Sequence, residues 1–329
     1  MIKNRYAVLA GWICLAVLAG WLCLAVLGQM GTAPAQQAGG QSEGKQTAKK
    51  ETVSVTEPGK PASDAGKGDA TEPSIDQLRT GMNLLPVQDY SWQDPMELVR
   101  KYDGLRLTDV LDAMQATGLQ DSGLMDHSIR PVWRDNTEAM THRIYGVAVT
   151  YQYVPTNRKP AVEMSLEEFE KWHSGWYRNY APEMFSKILR PGTVVVIDAQ
   201  GVETTGFVGS NNALNWKSKG MIGVVTNGGC RDTDEVILEK IPVYCRYQGG
   251  GTRPGRIEAA SINRPVVVGG VLVRPGDMVV ADGDGVVVVP REHADKVCKI
   301  ARGIANGDKK GRKKLYETMG MSEDKTVKQ

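Results

Sequence analysis

Apolar and polar positions divide the chain into stretches of different character. Residues 7–28 read AVLAGWICLAVLAGWLCLAVLG, apolar throughout and without a charge. A helix over this run would reach about 33 Å at about 1.5 Å per residue, enough to span a hydrocarbon core. Residues 31–74 are Gly, Ala, Gln, Lys, Glu, Ser, Thr and Pro with almost no large apolar side chain. Such a segment cannot offset its ordering entropy by burial, which predicts a disordered linker. From about residue 75 onward, periodic apolar segments alternate with Gly and Pro turns, as expected of a folded unit.

Within that unit, residues 94–102 and 107–117 read as short amphipathic helices, the second on the spacing Leu107, Val110, Leu111, Met114. Residues 143–154 are β-branched and aromatic, which predicts a strand. Ser165 and Glu168 form a capping box that opens a helix running to about Leu189, with Pro182 as its weak point. Trp172, Trp176, Tyr177 and Tyr180 fall in this segment and read as a packing or subunit-contact cluster. Residues 193–198 and 221–226 are continuous apolar runs, expected as strands buried on both faces. A helix between them, from about Asn212 to Lys219, completes a βαβ unit with parallel strands. Short strands follow at 242–247, 266–268, 271–273, 278–281 and 286–289. A last helix starts near Arg291 and carries a solvated basic face of Lys296, Lys299 and Arg302.

Composition narrows the class. Hydrophobic residues make up 41% of the 329 and charged ones 24%, an ordinary globular balance. The organisation expected is 1–30 signal anchor or signal peptide, 31–74 linker and 75–329 α/β domain. Lys+Arg number 40 against 38 Asp+Glu, and a net charge of +2 is too balanced for a general nucleic-acid binder. Lys3 and Arg5 precede the apolar run and no basic residue follows until Lys45. The positive-inside rule then gives a single-pass protein of the cytoplasmic membrane with its C-terminal domain outside. Ala33-Pro34-Ala35 offers a cleavage site that would instead release a secreted or periplasmic domain, but the length of the run favours an uncleaved transmembrane helix. Cys230, Cys245 and Cys298 lack the CxxC spacing of a zinc site, and an oxidising compartment would allow one pair to bridge.

Candidate chemistry collects where parallel strands end, because open α/β sheets bind ligands there. One such end runs from Asp198 to Gly209-Ser210-Asn211-Asn212 ahead of a helix, and the other is Asn227-Gly228-Gly229-Cys230-Arg231-Asp232. A turn at a helix start presents backbone amides to a carboxylate. Arg231 can hold a carboxylate bidentately while Asp232 anchors a divalent cation. An isolated Arg-Asp dipeptide would be an ordinary surface ion pair; the double Gly and the facing loop raise the functional reading to equal weight. The glycines at 249–255 lack the helix and acidic residue of a dinucleotide fingerprint, and Asp282-Gly283-Asp284-Gly285 reads as a hairpin turn. His127, His142, His173 and His293 lack metal spacing, and Cys230 is explained as a small buried residue at a strand end.

The stretch GSNNALNWKSKGMIGVVTNGGCRDTDEV, followed by PVYCRY and VVVGGVLVRPGDMVVADGDGVVVVP, closely resembles the RraA-like family. That family includes 4-hydroxy-4-methyl-2-oxoglutarate aldolases and RraA-type regulators of ribonuclease E, and the resemblance extends from about Leu105 to about Glu292. It implies a swivelling β/β/α domain assembled as a homotrimer or homohexamer, with sites at subunit interfaces. It also implies a divalent metal, Mg²⁺ or alternatively Mn²⁺, with Asp232 as its protein ligand. Arg231 would bind the pyruvoyl group and its enolate, and the turn at Gly209, Ser210, Asn211 and Asn212 would hold the pyruvoyl carboxylate. The function implied is a metal-dependent carbon–carbon lyase acting on a small 2-oxo acid, by aldol cleavage or oxaloacetate decarboxylation. The alternative is a noncatalytic oligomeric binding or regulatory protein. Ser210 replaces an acidic residue of the family pattern, Asn211-Asn212 replace Leu-Leu, and Asn227 stands where Asp is common. These departures leave the metal and enolate half in place and put proton transfer in question.

Overall fold

Thr193–Asp198 sets four β-branched apolar residues in a row, and all six of its positions are buried. Val195 and Ile197 enter one hydrophobic cluster while Val194 and Val196 enter another, so both faces of the strand are covered. Each such side chain contributes about 1.5–3 kcal/mol on burial. The computed structural model describes residues 73–90, 93–199, 202 and 205–328. The span expected at 7–28 and the linker as far as residue 72 lie outside the described residues. Among the described residues, no helix is long and apolar enough to cross a membrane.

The main sheet has the order Arg130–Pro131, Val243–Cys245, Met221–Thr226, Thr193–Asp198, Ile144–Pro155, Met278–Asp282, Gly285–Val289. Its four central members, from Val243–Cys245 through Ile144–Pro155, run parallel, as the βαβ reading requires. Met278–Asp282 and Gly285–Val289 form an antiparallel hairpin closed at Asp282 and Gly285, which makes the Asp-Gly-Asp-Gly segment the expected turn. Asp282 has a further task, since its Oδ2 accepts the Leu107 amide at 2.9 Å and ties the hairpin to a helix start. An unforeseen strand, Ile257–Ile262, pairs antiparallel with the far end of Ile144–Pro155.

Three of the parallel strands continue into a second, smaller parallel sheet. Thr193–Asp198 leads to Gly206–Val208, Met221–Thr226 to Gly229–Cys230, and Val243–Cys245 to Tyr247–Gln248. The strand predicted over 242–247 is therefore two short strands broken at Arg246. This arrangement extends the carboxyl ends of the large sheet into the region where ligands were expected.

Helices cover the sheet. Pro95–Tyr102, Leu107–Ala116 and Ala294–Met319 share a core with the terminal hairpin, and the Tyr102 hydroxyl donates to the Ala294 carbonyl at 2.8 Å. The capping box at Ser165 and Glu168 is present, but the helix it opens, Leu166–Asn179, ends well before residue 189. The chain then makes a short 3₁₀ turn, Met184–Lys187; Pro182 removes an amide donor just ahead of it. Cys230, Cys245 and Cys298 are buried and free, with no disulfide among them.

Candidate active site

Strand Met221–Thr226 is followed by Asn227 and Gly228, and Gly229–Cys230 delivers the chain to Arg231. The Arg231 amide donates to the Val208 carbonyl at 2.8 Å, which stitches the two candidate loops together. Asp232 follows at φ 54° and ψ 44°, a left-handed conformation at the cap of helix Thr233–Leu238. A non-glycine residue there stores about 1–2 kcal/mol of strain, which the surrounding loop contacts must hold. The bend brings Asp232 Oδ2 to 3.3 Å from the Ser210 amide, while Oδ1 lies 3.1 Å from Arg231 Nε. Both side chains stay partly open to solvent, at 39% for Arg231 and 36% for Asp232.

Two glycines make this approach possible. A Cβ on Gly209 would stand 2.9 Å from Asp232 Oδ2, and one on Gly206 would meet the Arg231 side chain at 2.8 Å. Gly209 also caps helix Ser210–Ser218, which starts two residues ahead of the predicted Asn212. Lacking a side chain, it supplies no cap of its own; Asp232 meets the Ser210 amide, and the Asn211 and Asn212 amides have no partner among the described residues, the arrangement that receives an anion. Ser210 is half-buried and Asn211 exposed at the head of that helix.

The departures at 212 and 227 have structural partners. Asn212 Nδ2 donates to Glu183, and so does Trp216 Nε1 at 2.8 Å. Glu183 Oε1 in turn lies 2.6 Å from Nη1 of Arg253, whose residue is 1% exposed. Arg253 donates through Nε and Nη2 to the Phe207 carbonyl at 3.1 and 2.6 Å, and through Nη1 to Tyr153 Oη at 3.0 Å. The buried pair thus grips the strand before Gly209 and the helix after it. Asn227 accepts the Ala199 amide at 2.6 Å and donates to Asp198 at 3.2 Å; an Asp at 227 would set two carboxylates face to face.

Glu183 and Arg253 were not among the candidates read from the sequence, and His173 was set aside there for lack of metal spacing. Arg253 sits in a glycine-rich loop and Glu183 follows a helix break, so neither carries a local signal. His173 Nε2 lies 3.0 Å from Thr252 Oγ1, which also meets Tyr177 Oη at 3.1 Å. Burial, and then the charge of Arg231, lower the His173 pKa, so its imidazole is neutral at pH 7. Next to Thr252, the Gly251 carbonyl accepts the Gly206 amide at 2.9 Å, so the His173 contact adjoins the strand that packs on Arg231. His142 has a structural task, accepting the Asp135 amide at 3.1 Å. Burial pushes the Cys230 thiol up, which removes it as a nucleophile.

Among the described residues, no group of three or more His, Cys, Asp or Glu side chains could hold a metal. The donor set at the turn is one hard carboxylate oxygen donor, half-exposed, in a cradle kept clear by Gly209. Among the described residues, that set fits Mg²⁺ or Mn²⁺ with water as the other ligands.

Comparison with known proteins agrees with this architecture. The RraA-like family, described as Aldolase/RraA, matches residues 107–288. A Thermus thermophilus protein named 4-hydroxy-4-methyl-2-oxoglutarate aldolase is 35% identical over 101 residues, 30% of this chain and 60% of that one. A Halalkalibacterium halodurans protein provisionally given the same name is 36% identical over 114 residues, 34% of this chain and 53% of its own. The chain spans about half the length of the curated relatives it matches. Among solved structures, Streptomyces coelicolor RraAS2, described as an unusual member of the RNase ES inhibitor RraA family, aligns with a TM-score of 0.52 at 25% identity. That alignment covers 69% of this chain and 98% of RraAS2. With the family match spanning more than half of its residues and the α/β fold in agreement, this chain belongs to the RraA-like, or Aldolase/RraA, family.

Proposed function

We propose that the protein is a divalent-metal-dependent lyase that cleaves a carbon–carbon bond of a small 2-oxo acid through a pyruvate enolate. The observation that carries this reading is the Asp232 carboxylate turned onto the Ser210 amide beside Arg231, at the carboxyl ends of parallel strands. Aldolase names among its relatives support the reaction class.

In this reading the first-turn amides of Asn211 and Asn212 receive the substrate's 2-oxo-acid carboxylate, and Arg231 sits over the developing enolate oxygen. Asp232 would hold Mg²⁺ or Mn²⁺, which would add positive charge at that oxygen. For 4-hydroxy-4-methyl-2-oxoglutarate, loss of the 4-hydroxyl proton lets the C3–C4 electron pair move into the 2-oxo group. One pyruvate leaves and the enolate takes a proton at C3 to become the second. Oxaloacetate reaches the same enolate by losing carbon dioxide. His173, joined through Thr252 to the loop that pairs with Gly206, is the base assigned here to the proton transfer that Ser210 cannot perform. The family resemblance adds a homotrimer or homohexamer, and the charge pattern around residues 7–28 places the domain outside the cytoplasmic membrane in this account. The test is pyruvate release from 4-hydroxy-4-methyl-2-oxoglutarate and from oxaloacetate with Mg²⁺ or Mn²⁺.

A second reading, a noncatalytic oligomeric binding protein, draws on the likeness to RraAS2 and on Ser210 in place of an acidic residue. Metal-stimulated turnover separates the two.

A further inference from the structure

Far along the chain from the Arg231 turn, the C-terminal helix and tail close over a second pocket of about 210 Å³. Its lining holds five cationic side chains and two acidic ones. Both acids are spent on a single cation, since Arg106 pairs with Asp109 and Asp308. The other four, Arg143, Lys309, Arg312 and Lys325, form no ion pair among the described residues. Arg143 carries the most telling atom: its Nε is shielded from solvent and has no hydrogen-bond partner among the described residues. A shielded N–H left without an acceptor costs about 1–3 kcal/mol, so this guanidinium keeps donor capacity to spare.

The pocket is held in shape rather than formed by loose ends. Val327 is 1% exposed and anchors the tail. Asp324 accepts from Tyr316 Oη at 3.1 Å and from the Thr326 amide at 2.7 Å, fixing the turn that carries Lys325. Arg312 Nη2 donates to Thr326 Oγ1 at 3.0 Å, which positions its guanidinium at the rim.

We propose that this pocket binds a small multiply charged oxyanion, a polycarboxylate or a phosphate compound, with Arg143, Lys309, Arg312 and Lys325 as its cationic lining. Its size excludes a drug-sized or dinucleotide ligand, whose sites run about 300–1,000 Å³. Several cations lining one pocket, two of them guanidinium forks free of carboxylate partners among the described residues, are the chemistry that recognises carboxylate or phosphate oxygens. The site is separate in residues from the Arg231 turn, so it stands whether or not the lyase reading holds.

Isothermal titration of the full-length chain, at ionic strength held constant with sodium chloride, uses inorganic phosphate in one arm and citrate in the other. Saturable binding at or below about 1 mM is expected for at least one probe. The tighter probe tells phosphate from carboxylate chemistry. Arg143→Gln should weaken it about tenfold or more, and so should the exposed double variant Lys309→Gln with Lys325→Gln, whose unliganded melting temperature reports intact folding. Arg231→Ala should leave this binding in place. Absence of saturable binding by both probes overturns the proposal, as does binding that survives the Lys309 and Lys325 changes or is lost with Arg231→Ala.

Discussion

Glu183 and Arg253 meet at 2.6 Å with the arginine sealed from solvent, and between them they hold both ends of the Gly209 turn. Removing one partner of a buried pair leaves the other charge uncompensated, at a cost of about 3–5 kcal/mol. Glu183→Ala is therefore expected to lower stability by about that amount in urea unfolding, with Glu183→Gln, which keeps an acceptor, intermediate. A loss below about 1 kcal/mol for Glu183→Ala would show that the pair does not organise the turn.

Gly209 separates fold from site. Its φ of −115° suits any residue, so the obstacle to Gly209→Ala is the Asp232 carboxylate 2.9 Å from the new Cβ. A carboxylate at the end of a side chain can move aside, so the melting temperature should change little while, under the lyase reading, pyruvate release falls at least tenfold. At Gly206 the new Cβ would meet Arg231 Cβ at 2.9 Å, close to the backbone, and Gly206→Ala should cost stability as well. Thermal melts and initial rates on the two variants check the contrast.

His173→Gln keeps a partner for Thr252 and removes the base. Under the lyase reading, kcat should fall by about 10²-fold or more while KM moves little. A fall in kcat/KM through KM alone would assign His173 to packing.

Away from the site, burial pushes the Asp277 carboxyl up to about 6, although the Arg274 and Arg291 amides donate to it at 2.7 and 3.0 Å. The folded state holds this proton more tightly than the unfolded state does. The group's stabilising contribution is thus complete below about pH 4 and is lost as pH rises through about 6, a swing of about 3 kcal/mol. The stability of the native protein relative to Asp277→Asn should decline between pH 4 and pH 6 in urea titrations. A gap independent of pH would contradict the assignment.

Local pattern carried much of the fold. Continuous β-branched runs at 193–198 and 221–226, the Ser165 capping box and the hairpin at 282–285 are decided by neighbours in sequence, and each formed as expected. The Arg231-Asp232 pair and the Gly209 turn were legible for the same reason: each lies at the end of a recognisable strand. The Glu183–Arg253 pair joins positions 70 residues apart, and no local pattern encodes that meeting. Ile257–Ile262 was missed because its exposed, Ala- and Glu-bearing face lacks the apolar run of the central strands. Asn212 read only as a polar replacement for Leu, and the partly buried Glu183 that accepts from its amide lies 29 residues away.

Whether Asp232 and Arg231 form a metal-dependent lyase site is read from a Mg²⁺ titration of pyruvate release from oxaloacetate. The full-length chain and Asp232→Ala are compared above the rate given by metal alone. The account predicts saturable, Mg²⁺-dependent release by the native protein and a return to the metal-only rate in Asp232→Ala. Equal release by the two proteins would contradict it.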